Sequence, residues 1–87
     1  MTPVDPCIDQ RLLPDSSKAI VFGENQAGVI PLPTIQTPNH HIISRWSFSD
    51  EERRKIFQGE DLYLVVVADR PPPVYLNIGV MDWKSNN

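Results

Sequence analysis

The sequence predicts a small α+β domain built from an antiparallel β-sheet and one short helix. Two observations indicate this class. A helix with a capping pattern spans residues 50–58, and β-branched or alternating segments lie on both sides of it. The predicted order is β-β-β-α-β-β in a single domain over residues 19–82. A proline-rich, extended N-terminal arm at residues 1–18 precedes the domain, and residues 83–87 form a C-terminal tail.

Length, charge and apolar runs limit the class of protein. A chain of 87 residues can form one domain with a thin core. Its net charge of −3 argues against general nucleic-acid binding. Cys7, the single cysteine, cannot form an intramolecular disulfide, as is usual in the cytosol. The run from Leu62 to Ala68 is too short to span a bilayer, and no signal segment opens the chain. We expect a cytoplasmic protein that does not bind membranes.

The arm is predicted from the segment Met1 to Asp15, which has three prolines and no hydrophobic period. Two alternatives stay open for it: disorder, or an arm that lies across the domain or a neighbouring subunit. The second alternative would use the apolar residues Val4, Ile8, Leu12 and Leu13.

The first predicted strand covers residues 19–22, which are β-branched or aromatic. Residues 23–28 contain turn formers, so Val29 and Ile30 are predicted to pair back. The following Pro31-Leu32-Pro33 is predicted to run along an edge or leave the sheet, because proline lacks the N–H that a central strand uses.

A third strand is predicted from the alternation that begins at His41. We expect Ile42, Trp46 and Phe48 to face the core. The opposite face carries His41, Ile43, Arg45 and Ser47.

The helix is predicted from its caps. Ser49 is a favourable N-cap, Glu52 completes a capping box, and Gly59 suits the position just after the C-terminus. Only Ile56 and Phe57 are apolar within the helix, so we expect it to pack on the sheet by one edge.

The last two predicted strands form a hairpin from residues 62–68 and 74–81, which a proline-rich loop separates. Both faces of this hairpin are apolar, which is more than one short helix can cover. The second face therefore predicts contact with the arm, a ligand or another subunit, and we expect a homo-oligomer. Its predicted interface residues are Tyr63, Val65, Val67, Tyr75 and Met81.

No pattern of catalytic or metal-binding residues is present. The only histidine pair, His40-His41, has no nearby ligand set, and neighbouring side chains on a strand point to opposite faces. Cys7 and the serines lack the context of an activated nucleophile. We expect no catalytic residues, no metal and no cofactor, and therefore a protein that is not an enzyme.

A local nucleotide site is a separate hypothesis, because guanidinium groups bind phosphate and aromatic rings stack on bases. The alternative is that the arginines lie on a solvated face and the tyrosines pack in the sheet or against a subunit. The candidate ligand-binding residues are His41, Arg45, Arg53, Arg54, Tyr63 and Tyr75.

The chain resembles a group of small proteins encoded by bacteriophages and prophages. The resemblance covers residues 29–80 and depends on Pro31-Leu32-Pro33, the segment ISRWSFS at residues 43–49, Glu52-Arg53, Gly59, and Leu62-Tyr63-Leu64. Residues 69–73 depart from the group, whose members often have a longer aromatic turn there.

The resemblance implies a non-enzymatic phage accessory protein in the host cytoplasm. We expect it to act by stoichiometric binding in phage–host conflict, as an anti-defence protein or inhibitor, through an oligomer or a protein-binding surface. One alternative is a sponge that sequesters a small nucleotide signal in an intersubunit pocket, and another is a structural component of the virion.

Overall fold

Four strands and one α-helix are present in the described part of the chain. The computed structural model describes residues 1–28, 30–66, 69 and 73–84. These residues confirm the α+β class. The elements are β1 (Thr2–Val4), a 3-10 turn (Gln10–Leu12), β2 (Lys18–Phe22), β3 (Leu32–Gln36), β4 (Ile42–Ser47) and α1 (Asp50–Phe57).

All strand pairs are antiparallel, and the sheet has the order β1-β4-β3-β2. The predicted order is therefore only partly correct, because all four described strands precede the helix. The predicted first strand is confirmed as β2. Its turn includes Gly23 and Gly28, whose φ angles of 73° and 76° favour glycine. The return strand begins at Leu32 rather than at Ile30, and Val29 lies outside the described residues.

The edge prediction for Pro31-Leu32-Pro33 is correct locally: Pro33 lies within the central strand β3, opposite Val21, but only β2 pairs with β3 at that position. Pairing of β3 with β4 begins only at Thr34, opposite Ser44. At Pro33 the strand therefore has a partner on one side, and a missing N–H is tolerated where a strand is locally an edge.

A separate N-terminal arm is not confirmed, because Thr2–Val4 pairs with β4 and places Val4 opposite Arg45. The 3-10 turn then brings Leu13 to the sheet, where it is 6% exposed. The structure thus agrees with the alternative in which this segment lies across the domain.

The buried face of β4 is the opposite of the one predicted. Ile43 is 9% exposed, whereas Ile42 is exposed, Trp46 is 45% exposed and Phe48 is half-buried. Ile35 lies opposite Ile43, and it borders a groove with Leu13. The N-terminal segment thus covers the Ile43 face, and this cover decides which side of the strand becomes the core.

Two buried threonines complete this thin core. Thr34 is 2% exposed, and its hydroxyl donates to the carbonyl of Ile20 at 2.7 Å. The Thr37 hydroxyl accepts from the N–H of His41 at 3.1 Å, which closes the turn between β3 and β4. Both hydroxyl groups are hydrogen-bonded, as buried polar groups normally are.

The helix caps are confirmed, but the predicted packing is wrong. The Ser49 hydroxyl accepts from the Glu52 N–H at 3.1 Å, and the Glu52 carboxylate accepts from the Ser49 N–H at 2.9 Å. Gly59 follows with a φ of 95°. No residue of α1 is buried, and Phe57 is 89% exposed.

The predicted hairpin is wrong for the residues that the structure describes. Residues 61–66 and 73–80 form no strand, and their side chains are exposed. Val67 and Ala68 lie outside the described residues. An isolated two-stranded hairpin is only marginally stable without a third strand or a packed helix. Since α1 buries none of its residues, it does not provide such a surface.

Candidate functional site

A groove at the junction of β1, β4 and α1 contains two of the predicted ligand-binding residues. It has a volume of about 270 Å³. We call it the basic groove and define it by its six lining residues: Val4, Arg45, Trp46, Ser47, Phe48 and Arg53.

Pairing between β1 and β4 and the start of α1 bring the two arginines together. Arg45 lies on β4 opposite Val4, and its guanidinium Nη1 donates to the carbonyl of Asp5 at 3.4 Å. The capping box begins α1 at Asp50, which places Arg53 in the first turn. The Nε of Arg53 donates to the carbonyl of Phe48 at 3.4 Å. Both bonds are long, and each uses one of the five N–H donors of its guanidinium group. They orient the two groups and leave most of the donors available.

The charges around the groove are unbalanced. Among the described residues, Arg45 and Arg53 are the charged residues that line it. The ion pairs of the described residues join other groups: the Met1 amine with Glu52, and Arg11 with Asp9.

Glu52 is next to Arg53 in sequence, but its carboxylate contacts groups other than the arginines of the groove. Its carboxylate accepts hydrogen bonds from the Met1 amine and from the Ser49 N–H. Both contacts lower the pKa of Glu52, to about 2, and the contact with the amine has the larger effect. Its negative charge is thus present at neutral pH and is shared with the amine and the helix cap.

The six candidate ligand-binding residues do not form one site. Arg45 and Arg53 line the basic groove. His41 and Tyr75 meet edge to face instead, with ring centroids 6.0 Å apart and an interplanar angle of 75°. Arg54 and Tyr63 do not line the basic groove, and Tyr63 is exposed.

Sequence reasoning missed part of the groove wall. The sequence predicts Val4 in the arm, Phe48 in the core and Ser47 on the face of the strand that carries Arg45, and none of the three as a ligand-binding residue. The pairing of Val4 with Arg45 connects positions far apart in the chain. No local sequence signal specifies such a contact.

A second groove, of about 310 Å³, lies between residues 6–18 and Ile35. Its charged lining residues, Asp15 and Lys18, have opposite signs. Cys7 also borders it and is exposed. In the described ranges, no group of three metal-ligating side chains is present.

Many of the exposed large apolar side chains lie in the C-terminal part of the chain. These side chains start at the end of α1 and continue through the described residues that follow. We call this group the C-terminal apolar surface and define it by Ile56, Phe57, Leu62, Tyr63, Leu64, Val65, Val66, Val74, Tyr75, Leu76, Ile78 and Val80, all of which are exposed. It includes the predicted interface residues Tyr63, Val65 and Tyr75, whereas Met81 is half-buried and Val67 is not described.

Comparison with known proteins gives no family assignment: no protein-family model, curated protein or solved structure matches this chain. None of the helices in the described residues is long and apolar enough to cross a membrane.

Proposed function

We propose that this protein acts by stoichiometric binding rather than by catalysis, and that it binds through the C-terminal apolar surface as a homo-oligomer. The observation that carries this proposal is the exposure of that surface. Ile78, for example, is 98% exposed. Soluble monomers rarely expose apolar patches of this extent, and such patches usually mark interfaces.

The area of the chain supports an interface of this kind. Its accessible surface is 7507 Å². A compact monomer of 9.9 kDa exposes roughly 5,200 Å². The difference, roughly 2,300 Å², is comparable to the area that each subunit buries in a large obligate homodimer. The radius of gyration of 14.4 Å also exceeds the value of about 12 Å expected for a compact chain of this length.

The resemblance to phage and prophage proteins supports the biological setting of the proposal. We infer a phage accessory protein that acts in the host cytoplasm by occupying a host protein or by assembling with itself. In either case the contact itself has the effect, so the protein needs no catalytic group.

Sedimentation velocity from low to high micromolar concentration tests the oligomer. We expect the wild-type protein to associate and Ile78→Asn to shift it towards the monomer. Ile30→Asn is the matched control, because Ile30 is also exposed and lies outside the surface. A wild-type protein that stays monomeric throughout would refute the oligomer, and equal effects of the two variants would refute the assigned surface.

A further inference from the structure

We propose that the basic groove is a binding site for a small phosphate-bearing anion. Two guanidinium groups from different elements, Arg45 on β4 and Arg53 on α1, line the same groove of about 270 Å³. Guanidinium groups match phosphate oxygens through charge-assisted hydrogen bonds, which are stronger than neutral ones.

The donors of the two arginines are largely available. Each guanidinium carries five N–H donors, and the structure gives each group one long bond, to the carbonyl of Asp5 or of Phe48. Neither arginine forms an ion pair with a described carboxylate. The Ser47 hydroxyl on the groove wall offers a further donor.

The surroundings strengthen this preference for an anion. Val4 and Phe48 provide apolar wall beside the two guanidinium groups and add no negative charge to the groove. The chain as a whole has a net charge of −3, so the positive groove is a local reversal of sign. An extended polyanion would meet repulsion outside the groove, whereas a compact anion would not.

The size of the groove favours a small ligand. Pockets for drug-sized molecules start at about 300 Å³, and this open groove is slightly smaller. We therefore expect a phosphomonoester, with the phosphate group between the two arginines. The basic groove shares no residue with the C-terminal apolar surface, so this site does not depend on the proposed function.

Titration of ¹⁵N-labelled protein followed by NMR tests the site, with inorganic phosphate, AMP and adenosine as probes at low ionic strength. We expect saturable shifts of the Ser47 and Arg53 amides with phosphate and AMP, and none with adenosine. Adenosine shifts equal to those of AMP, or no saturable shift with either phosphate compound, would overturn the proposal. Tighter binding of AMP than of phosphate would support it and show that the groove also contacts the nucleoside.

Charge variants identify the donors. Arg45→Gln and Arg53→Gln should each weaken phosphate binding by about tenfold, the usual effect of one lost charge-assisted hydrogen bond. Arg54→Gln is the matched control, because it removes the same charge one position along α1 and outside the groove. The dispersion of each spectrum reports whether the variant is folded. Equal weakening by Arg53→Gln and Arg54→Gln would overturn the assignment.

Discussion

Residues 1–57 bury some of their apolar side chains, whereas the described residues of 58–84 bury none. The first region contains every described strand and helix, together with the buried Leu13, Ile43 and Thr34. In the described part of the second region no strand or helix is present, and all side chains are exposed except the half-buried Met81 and Trp83.

Apolar content does not explain this difference. Residues 62–66, LYLVV, are uniformly apolar and yet exposed, whereas the N-terminal segment is rich in proline and polar residues and yet covers the core. Burial depends on whether another part of the chain covers a face. The first region closes its own core through the segment around Leu13, whereas no described part of the chain covers the apolar side chains of the second region.

Truncation of one isoleucine in each region should give the largest difference in the free energy of unfolding. Ile43→Ala removes a buried side chain and should lower the free energy of unfolding by about 2–5 kcal/mol. Ile78→Ala, at an exposed position, should change it by no more than about 0.5 kcal/mol in the monomer. Urea denaturation at low protein concentration measures both values. Equal losses of unfolding free energy would show that the segment around Ile78 is packed in solution, like the core around Ile43.

Removal of the Thr34 hydroxyl should give the next largest change in the free energy of unfolding. Thr34→Val removes the hydrogen bond to the Ile20 carbonyl and leaves that acceptor in a half-buried site, at a cost of about 1–3 kcal/mol. Thr2→Val is the control, because Thr2 lies on the exposed part of β1. Urea midpoints of the two variants should differ clearly. A neutral Thr34→Val would show that strand pairing and side-chain packing hold β2 against β3 without this hydroxyl.

The helix cap at Ser49 lies close to the boundary between the two regions. Ser49→Ala removes one hydrogen bond of the capping box and should destabilise α1 by about 1 kcal/mol. Because α1 buries no residue, we expect the lost stability to appear as local fraying of the helix and not as global unfolding. Amide hydrogen exchange at Gln58, whose N–H bonds to the Arg54 carbonyl, should become about fivefold faster.

The matched control is Ser47→Ala on β4, which should leave exchange in α1 unchanged. A large shift of the global unfolding midpoint in Ser49→Ala would contradict the prediction. It would mean that the helix is coupled to the core despite its exposed side chains.

Local chemistry in the sequence predicted several elements correctly. The capping box at Ser49 and Glu52, the glycine after the helix, and strand β2 all depend on residues close together in the chain. These elements form because their hydrogen bonds satisfy backbone groups only a few positions away in the chain. The sequence also predicts Arg45 and Arg53 as candidate ligand-binding residues from their residue type; the structure brings the two to one groove, and their role in binding stays a prediction.

Contacts between distant residues were not predictable in this way. Alternation in β4 correctly separated the Ile42 face from the Ile43 face, but both faces begin with isoleucine, and Trp46 favoured the wrong one. The deciding contact is the cover around Leu13, which is thirty positions away from Ile43. The hairpin prediction failed for a related reason, because strand propensity does not supply a partner surface.

The pH dependence of stability that comes from Glu52 should be the smallest of these effects. The Met1 amine, and then the Ser49 N–H, lower the pKa of Glu52 from the usual 4.5 to about 2. The unfolded chain therefore binds a proton at this residue more readily, so the stabilisation is complete above about pH 4.5 and is lost as the pH falls towards about 2. Glu52→Gln should flatten the stability profile in this window, whereas Glu51→Gln should not. Equal profiles for the two variants would show that the contact between the N-terminus and α1 does not persist in solution, and the sheet and the helix would then be linked through β4 alone.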